Sequence, residues 1–353
     1  MGELLDRGHV GNFELEETMR HKVRQLCATN VWGFREIVLV MCIGRLLDPG
    51  YAPTSRFYDC NPRAIYEGPI RDALYEAQIP HGKSGPLNVA KAAPGINPEW
   101  AAQRRPREIA QVAVELAEII EKASAAKITN LASGLLAELL AEAQRIAGHI
   151  VEIPKNADPV RLTDLCFGLI NEVPDAGNTP QRIVGLLLEI YHEFMGSEVE
   201  VTGHLERASV TSTTSKKPGD IMERSKTGRI LSVYEVSVKP FDEQRASDSY
   251  EAVQLFAQSQ GQVISEVIVI CRNVDVHPSA IWTENDTPHL AILAFRGLTY
   301  HFLNIYQWVA SALIRLGPEA RIKFYTYLNN YIGHPNTSEK VKIFWRDLHQ
   351  HSG

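Results

Sequence analysis

One stretch of the chain writes polar chemistry into what otherwise reads as a buried strand, and any fold must accommodate it. In Val233-Tyr234-Glu235-Val236-Ser237-Val238-Lys239, apolar and polar residues alternate from Tyr234 onward. A strand of period two sends Tyr234, Val236 and Val238 to one face and Glu235, Ser237 and Lys239 to the other. Upstream, Lys216-Lys217-Pro218-Gly219-Asp220-Ile221 opens a shorter run, and Arg224-Ser225-Lys226-Thr227-Gly228 between the two has turn composition. The pattern predicts a hairpin that brings Asp220 near Glu235.

Two carboxylates and a lysine at such a junction suit metal-assisted phosphodiester hydrolysis. The carboxylates hold a hard cation such as Mg²⁺ through oxygen, and the ammonium orients the attacking water and offsets developing negative charge. A half-exposed hairpin with a solvated charged face has the same letters. What raises the catalytic reading is that the acids and the lysine fall on strands joined by a plausible turn.

The 353 residues suffice for one large domain or two of ordinary size, and 44% apolar with 22% charged content is that of a soluble globular protein. A net charge of −6 argues against a uniformly basic nucleic-acid coat but leaves room for a locally positive cleft. From Arg56 to Arg107, eight Lys/Arg stand against five acids, a mildly basic segment in an acidic chain. Cys27, Cys42, Cys60, Cys166 and Cys271 form no Cys-x-x-Cys pair, so neither a zinc ribbon nor a disulfide framework is indicated. The N-terminus lacks a secretory layout and no apolar run reaches membrane-spanning length, so a cytoplasmic protein without membrane partners is expected.

Residues 14 to 47 read as helical. Residues 51 to 100 are rich in Pro, Gly, Asn and Arg, and Arg63, Arg71, Lys83, Ser84 and Asn88 there, with Arg104 and Arg105 just beyond, are candidates for contacting phosphates; a set of capped helix connections accounts for the stretch equally well. Gly82-Lys83-Ser84 is not a P-loop, because Ala77 stands where that motif needs its first glycine. Amphipathic helices follow to about residue 150, with a break expected near Thr129-Asn130. A domain seam is expected near residue 175. Beyond it come a helix from Thr179 to Phe194, a strand at 198 to 203, the hairpin, a helix over 246 to 260, a strand over 267 to 272, and a long helical region from Leu290 to Leu316.

That order of helix, three strands, helix and strand resembles the core of the PD-(D/E)XK nuclease superfamily, especially type II restriction endonucleases. The resemblance covers about residues 180 to 272. The Arg/Gly/Asn-rich region and the overall length also look like the SacI-type enzymes. The resemblance implies an α/β (α+β) fold in which a restriction-endonuclease-like core, with a mixed central sheet flanked by helices, occupies residues 176–353 after a largely helical N-terminal domain, 1–175. The N-terminal domain would serve DNA recognition or dimerisation. Asp220, after Pro218 and Gly219, matches the motif Asp, and Lys239 matches the third-strand lysine. The sequence departs between them. Ser237 stands where the family has its second acid, with Glu235 two positions earlier on the same face. Some restriction enzymes look similar in having Ser-x-Lys here and taking the missing acid from the following helix, for which Glu251 is the candidate. Metal ligands are thus Asp220 with Glu235 or Glu251, Glu235 ranking first.

The resemblance further implies Mg²⁺-dependent cleavage of double-stranded DNA by a homodimer, with a cognate DNA methyltransferase in the host. Lys216 and Lys217 join the candidate phosphate contacts. Two other readings stay open: a catalytically inert DNA-binding protein with a nuclease-like core, which Ser237 favours, and a repair or modification-dependent nuclease.

Overall fold

The computed structural model describes residues 1–149, 157–206, 217–284 and 287–350. The chain divides into two units, Met1–Gly148 and His149–Gly353. The seam expected near residue 175 therefore lies earlier. The helix Pro159–Glu172 belongs to the second unit because Leu162, Leu165, Cys166, Leu169 and Ile170 join that unit's core.

The first unit is helical throughout its described elements. Its long helices are α1 (Gly2–His9), α2 (Glu17–Cys27), α3 (Gly33–Leu47), α4 (Arg107–Lys122) and α5 (Ala125–Ala147). Short helical turns occupy Phe57 to Ala102. Every residue from Phe34 to Cys42 is buried, so α3 is the central rod. A helix apolar on all sides must be packed on all sides, and α3 also buries Arg35 and Glu36. Arg35 donates to Glu142 Oε2 and to the Pro80 carbonyl, each at 2.6 Å. Glu36 Oε1 accepts the Gly82 N–H at 2.6 Å. The helical break falls not at Thr129-Asn130 but at Ala123-Ser124, where Ser124 Oγ caps α5 by accepting the Lys127 N–H. Thr129 and Asn130 lie inside α5, and Asn130 Oδ1 accepts from Arg7.

The second unit is a mixed α/β layer structure. After α6 (Pro159–Glu172) and α7 (Asn178–Phe194) come β1 (Val199–Thr202), β2 (Ile221–Ser225), β3 (Ile230–Ser237), α8 (Glu243–Gln260), β4 (Glu266–Cys271), β5 (Ile281–Trp282), β6 (His289–Phe295) and β7 (Leu298–Asn304). The described chain ends with α9 (Ile305–Arg315), α10 (Pro318–Gly333) and α11 (Glu339–Gln350). Among the described residues the strands form one sheet, ordered β1-β2-β3-β4-β7-β6-β5. β3, β4 and β7 run parallel and the other neighbours antiparallel. One face, with Ile221, Tyr234, Val236 and Ile270, packs against α6, α7 and α9 to α11. The other, with Val233, Val267, Val269 and Phe302, packs against Ala246, Val253 and Phe256 of α8. The parallel β3 and β4 are bridged by α8, as a parallel connection requires.

The helical region expected from Leu290 to Leu316 is instead a hairpin followed by a helix. Arg296 (φ 51°) and Gly297 (φ 87°) form its two-residue turn. Two successive positive φ values match the twist of the flanking strands, and the second falls on a residue that adopts them without strain. Among the described residues no helix is long and apolar enough to cross a membrane.

Gly297→Ala should therefore lower stability by about 1 kcal/mol, read as a shift of the urea midpoint. An unchanged midpoint would contradict this turn.

Candidate active site

The hairpin forms as its alternation predicts, with Ile221 opposite Tyr234 and Met222 opposite Val233. One further step of that register sets Asp220 opposite Glu235, on the same face. The bend into the strand depends on Gly219. A Cβ there would meet the Tyr234 carbonyl oxygen at 2.7 Å and Val233 Cγ1 at 2.8 Å, so only glycine lets the backbone pass this close to β3. Gly203 (φ 99°) plays the same part from the other side, where a Cβ would stand 2.2 Å from the Asp220 carbonyl oxygen.

Asp220 Oδ2 accepts the Val236 N–H at 2.9 Å. Glu235 is 7% exposed, and its Oε1 accepts from Ser249 Oγ at 3.2 Å. Arg245 Nη2 lies 3.7 Å from Glu235 Oε2, and Arg245 Nη1 donates to Ser237 Oγ. Burial pushes both carboxyls above the ordinary carboxylate range. At Asp220 the Val236 N–H and the Arg245 charge oppose the rise, whereas at Glu235 the Asp220 charge adds to it and Arg245 opposes it. Two like charges opposite one another on neighbouring strands destabilise each other. The pair is therefore a place where a cation is favoured.

Ser237, where the resemblance expects an acid, is engaged locally. Its hydroxyl donates to the Lys239 carbonyl at 2.7 Å and accepts the Lys239 N–H at 3.1 Å. Lys239 lies beyond the end of β3 and is exposed, and among the described residues its side chain has no hydrogen bond or ion pair. Glu251 is not brought to the pair. Arg245 and Ser249, four residues apart, share the sheet-facing side of α8, and Glu251, two residues past Ser249, is turned to solvent. Among the described residues no group of three or more His, Cys, Asp or Glu is set to hold a metal ion. Two carboxylates completed by water are the donor set that Mg²⁺ commonly accepts, so Asp220 and Glu235 fit that ion.

Arg245 was not found by sequence reasoning. Starting the helix at residue 246 left it in a loop, although Asp242, three residues before it, is an N-cap residue whose Oδ1 accepts the Arg245 N–H at 2.9 Å. Beside the pair, on the opposite sheet face, His192 Nε2 lies 2.8 Å from Glu223 Oε1, and Tyr234 Oη donates to Glu223 Oε2 at 2.9 Å. These contacts tie the end of α7 to β2 and β3.

In the first unit, Arg63, Ser84 and Asn88 converge on a cleft of about 620 Å³ that Tyr58 and Leu87 also line. Arg63 pairs with Glu67 at 3.3 Å, and Ser84 Oγ donates to Glu67 Oε1 at 2.7 Å. Asn88 and Lys83 are exposed. The Gly82 N–H is committed to Glu36. Gly85 is required there too, since a Cβ would lie 1.4 Å from Glu36 Oε2. Arg71 lies 3.9 Å from Asp72. The outer Arg104 and Arg105 donate to nearby backbone carbonyls, Arg104 also standing 5.9 Å over Trp100. Lys217 pairs with Glu206 at 2.6 Å, and Lys216 lies outside the described residues.

No family model matches the chain, and no curated protein matches it either.

The raised Glu235 carboxyl, at about 8, gives a pH signature. The folded state holds this proton more tightly than the unfolded chain does. The stabilisation is therefore full below the ordinary carboxylate range and is lost as pH rises through about 8. Melting of the metal-free protein should fall between pH 5 and 8.5, and Glu235→Gln should flatten the fall, with a higher Tm than wild type at pH 8.5. Each kcal/mol recovered corresponds to about 2–4 °C. Parallel melting profiles for the two proteins would refute this.

Proposed function

We propose that the chain is a Mg²⁺-dependent endonuclease that hydrolyses phosphodiester bonds of double-stranded DNA, as type II restriction enzymes do, on a restriction-endonuclease-like core. The observation that carries this reading is the meeting of Asp220 and Glu235 at the head of β2 and the end of β3, with Lys239 two residues beyond that strand. The element order from α7 to β4, helix, three strands, helix and strand, is the one that such a core uses.

Asp220 and Glu235 would hold the ion, which supplies charge neutralisation at the phosphate and acidifies a bound water. Asp220 is held in place by the Val236 N–H, and Glu235 by Ser249, so neither needs to reorganise around the phosphate. Lys239, free of protein partners among the described residues, orients the attacking water and offsets charge on the phosphorane oxygens. Cleavage of both strands calls for two such sites, hence a homodimer on a two-fold target. The cleft of Arg63, Ser84 and Asn88 offers guanidinium, hydroxyl and carboxamide groups beside an aromatic ring, the groups that read base edges and sugar-phosphate. A host carrying such an enzyme requires a cognate DNA methyltransferase.

A second reading is an inert DNA-binding protein on the same core. It is favoured by Ser237 standing at the acid position with its hydroxyl already engaged.

Incubation of wild type and Lys239→Ala with unmethylated phage DNA, in Mg²⁺ or EDTA, separates the readings. Discrete Mg²⁺-dependent fragments from wild type, with at least about a hundredfold loss in the variant, are expected. DNA binding without cleavage under any divalent metal would favour the inert binder, and cleavage confined to modified or branched DNA would favour a repair or modification-dependent nuclease.

A further inference from the structure

Arg245 stands beside the carboxylate pair, and the proposed chemistry does not use it. It leaves the first turn of α8, passes Phe241 with its guanidinium carbon 5.5 Å from the ring centroid, and reaches the strand β3 side chains. Nη1 donates to Ser237 Oγ and Nη2 lies 3.7 Å from Glu235 Oε2. Its charge also acts on Asp220. A guanidinium has no acceptor and stays charged at any working pH, so it can serve the pair only as a cation.

The identity of residue 237 bears on how firmly this cation is held. An acid there would lock the guanidinium in place with a third negative charge and a bidentate contact. A serine hydroxyl holds it by a single hydrogen bond, and the 3.7 Å approach to Glu235 is looser than a direct bidentate pair. The side chain is about 30% exposed, so it has solvent to swing into.

We propose that Arg245 is a positioning residue that acts as the resident counter-cation of Asp220 and Glu235, holding the pair in its folded geometry without metal and giving up the Glu235 oxygen to an arriving divalent cation. The guanidinium and the divalent cation then compete for one site. This rests on the metal-site reading of the pair proposed above.

The test is Mn²⁺ binding to the full chain, followed by the EPR signal of free Mn²⁺, on wild type, Arg245→Gln, Arg245→Lys and Asp220→Asn. Arg245→Gln should bind Mn²⁺ about tenfold more tightly than wild type, and Arg245→Lys within about threefold of wild type. Melting without metal should be lower for Arg245→Gln than for wild type, and the gap should close at saturating Mn²⁺. Equal or weaker Mn²⁺ binding by Arg245→Gln, while Asp220→Asn abolishes binding, would overturn the competition and leave the metal site standing. Wild-type binding that Asp220→Asn leaves unchanged would overturn both. If Arg245→Gln does not fold, the lysine variant carries the test, since its shorter reach toward Ser237 should still preserve wild-type affinity, and a tenfold change there would overturn the proposal.

Discussion

The hydrogen bond from the Val236 N–H to Asp220 Oδ2 is the contact on which the geometry of the second unit's carboxylate pair depends. It spends a backbone donor of β3 on a side chain at the head of β2, and so fixes Asp220 one step beyond the last paired residues. Glu235 follows from the same register, opposite Asp220 and pressed beneath α8. Burying two carboxylates side by side is unfavourable unless something positive stands close. Arg245, with Nη2 3.7 Å from Glu235 Oε2, is the positive group beside the pair. The glycines at 203 and 219 allow the approach, since a side chain at either would strike the backbone it passes.

The first unit handles buried charge in another way. Arg35 and Glu36 are neighbours in sequence on a helix buried on all sides, yet each finds its own partner, Arg35 the Glu142 carboxylate and the Pro80 carbonyl, Glu36 the Gly82 N–H. These bonds hold the Pro80–Gly85 segment against α3, and that segment forms one wall of the cleft with Ser84. Buried ionic groups here serve to position a loop. In the second unit the carboxylate pair would, on the proposed reading, hold a cation.

Much of the second unit was legible because period two is hard to disguise. Tyr234 and Val236 against Glu235 and Ser237 fixed both the strand and its polar face, and Thr179-Pro180 marked the start of α7. Leu290 to Leu316 misled because it is apolar at both helical and strand spacing, so length suggested a helix. The Arg296-Gly297 turn, which divides it, is a weaker signal than Asn-Gly or Asp-Gly. The seam expected near residue 175 falls between Pro174 and Pro180, which punctuate a helical connection inside the second unit. Glu251 looked a suitable acid by count along the chain, but its direction is set by which face of α8 meets the sheet. Arg245 lay just before the expected start of that helix, so its reach toward Ser237 was hidden. For Glu251 tertiary packing chose among local options that the residues alone left equal, whereas Arg245 had a local signal in the N-cap Asp242.

On the proposed reading, Asp220 and Glu235 hold one divalent cation. Anomalous diffraction from a crystal of the full chain soaked in Mn²⁺ tests it most directly. One peak is expected within about 2.0–2.6 Å of an oxygen from each carboxylate, with Arg245 turned away from Glu235. A peak bound elsewhere, or none at this pair while Arg245 stays beside Glu235, would contradict it.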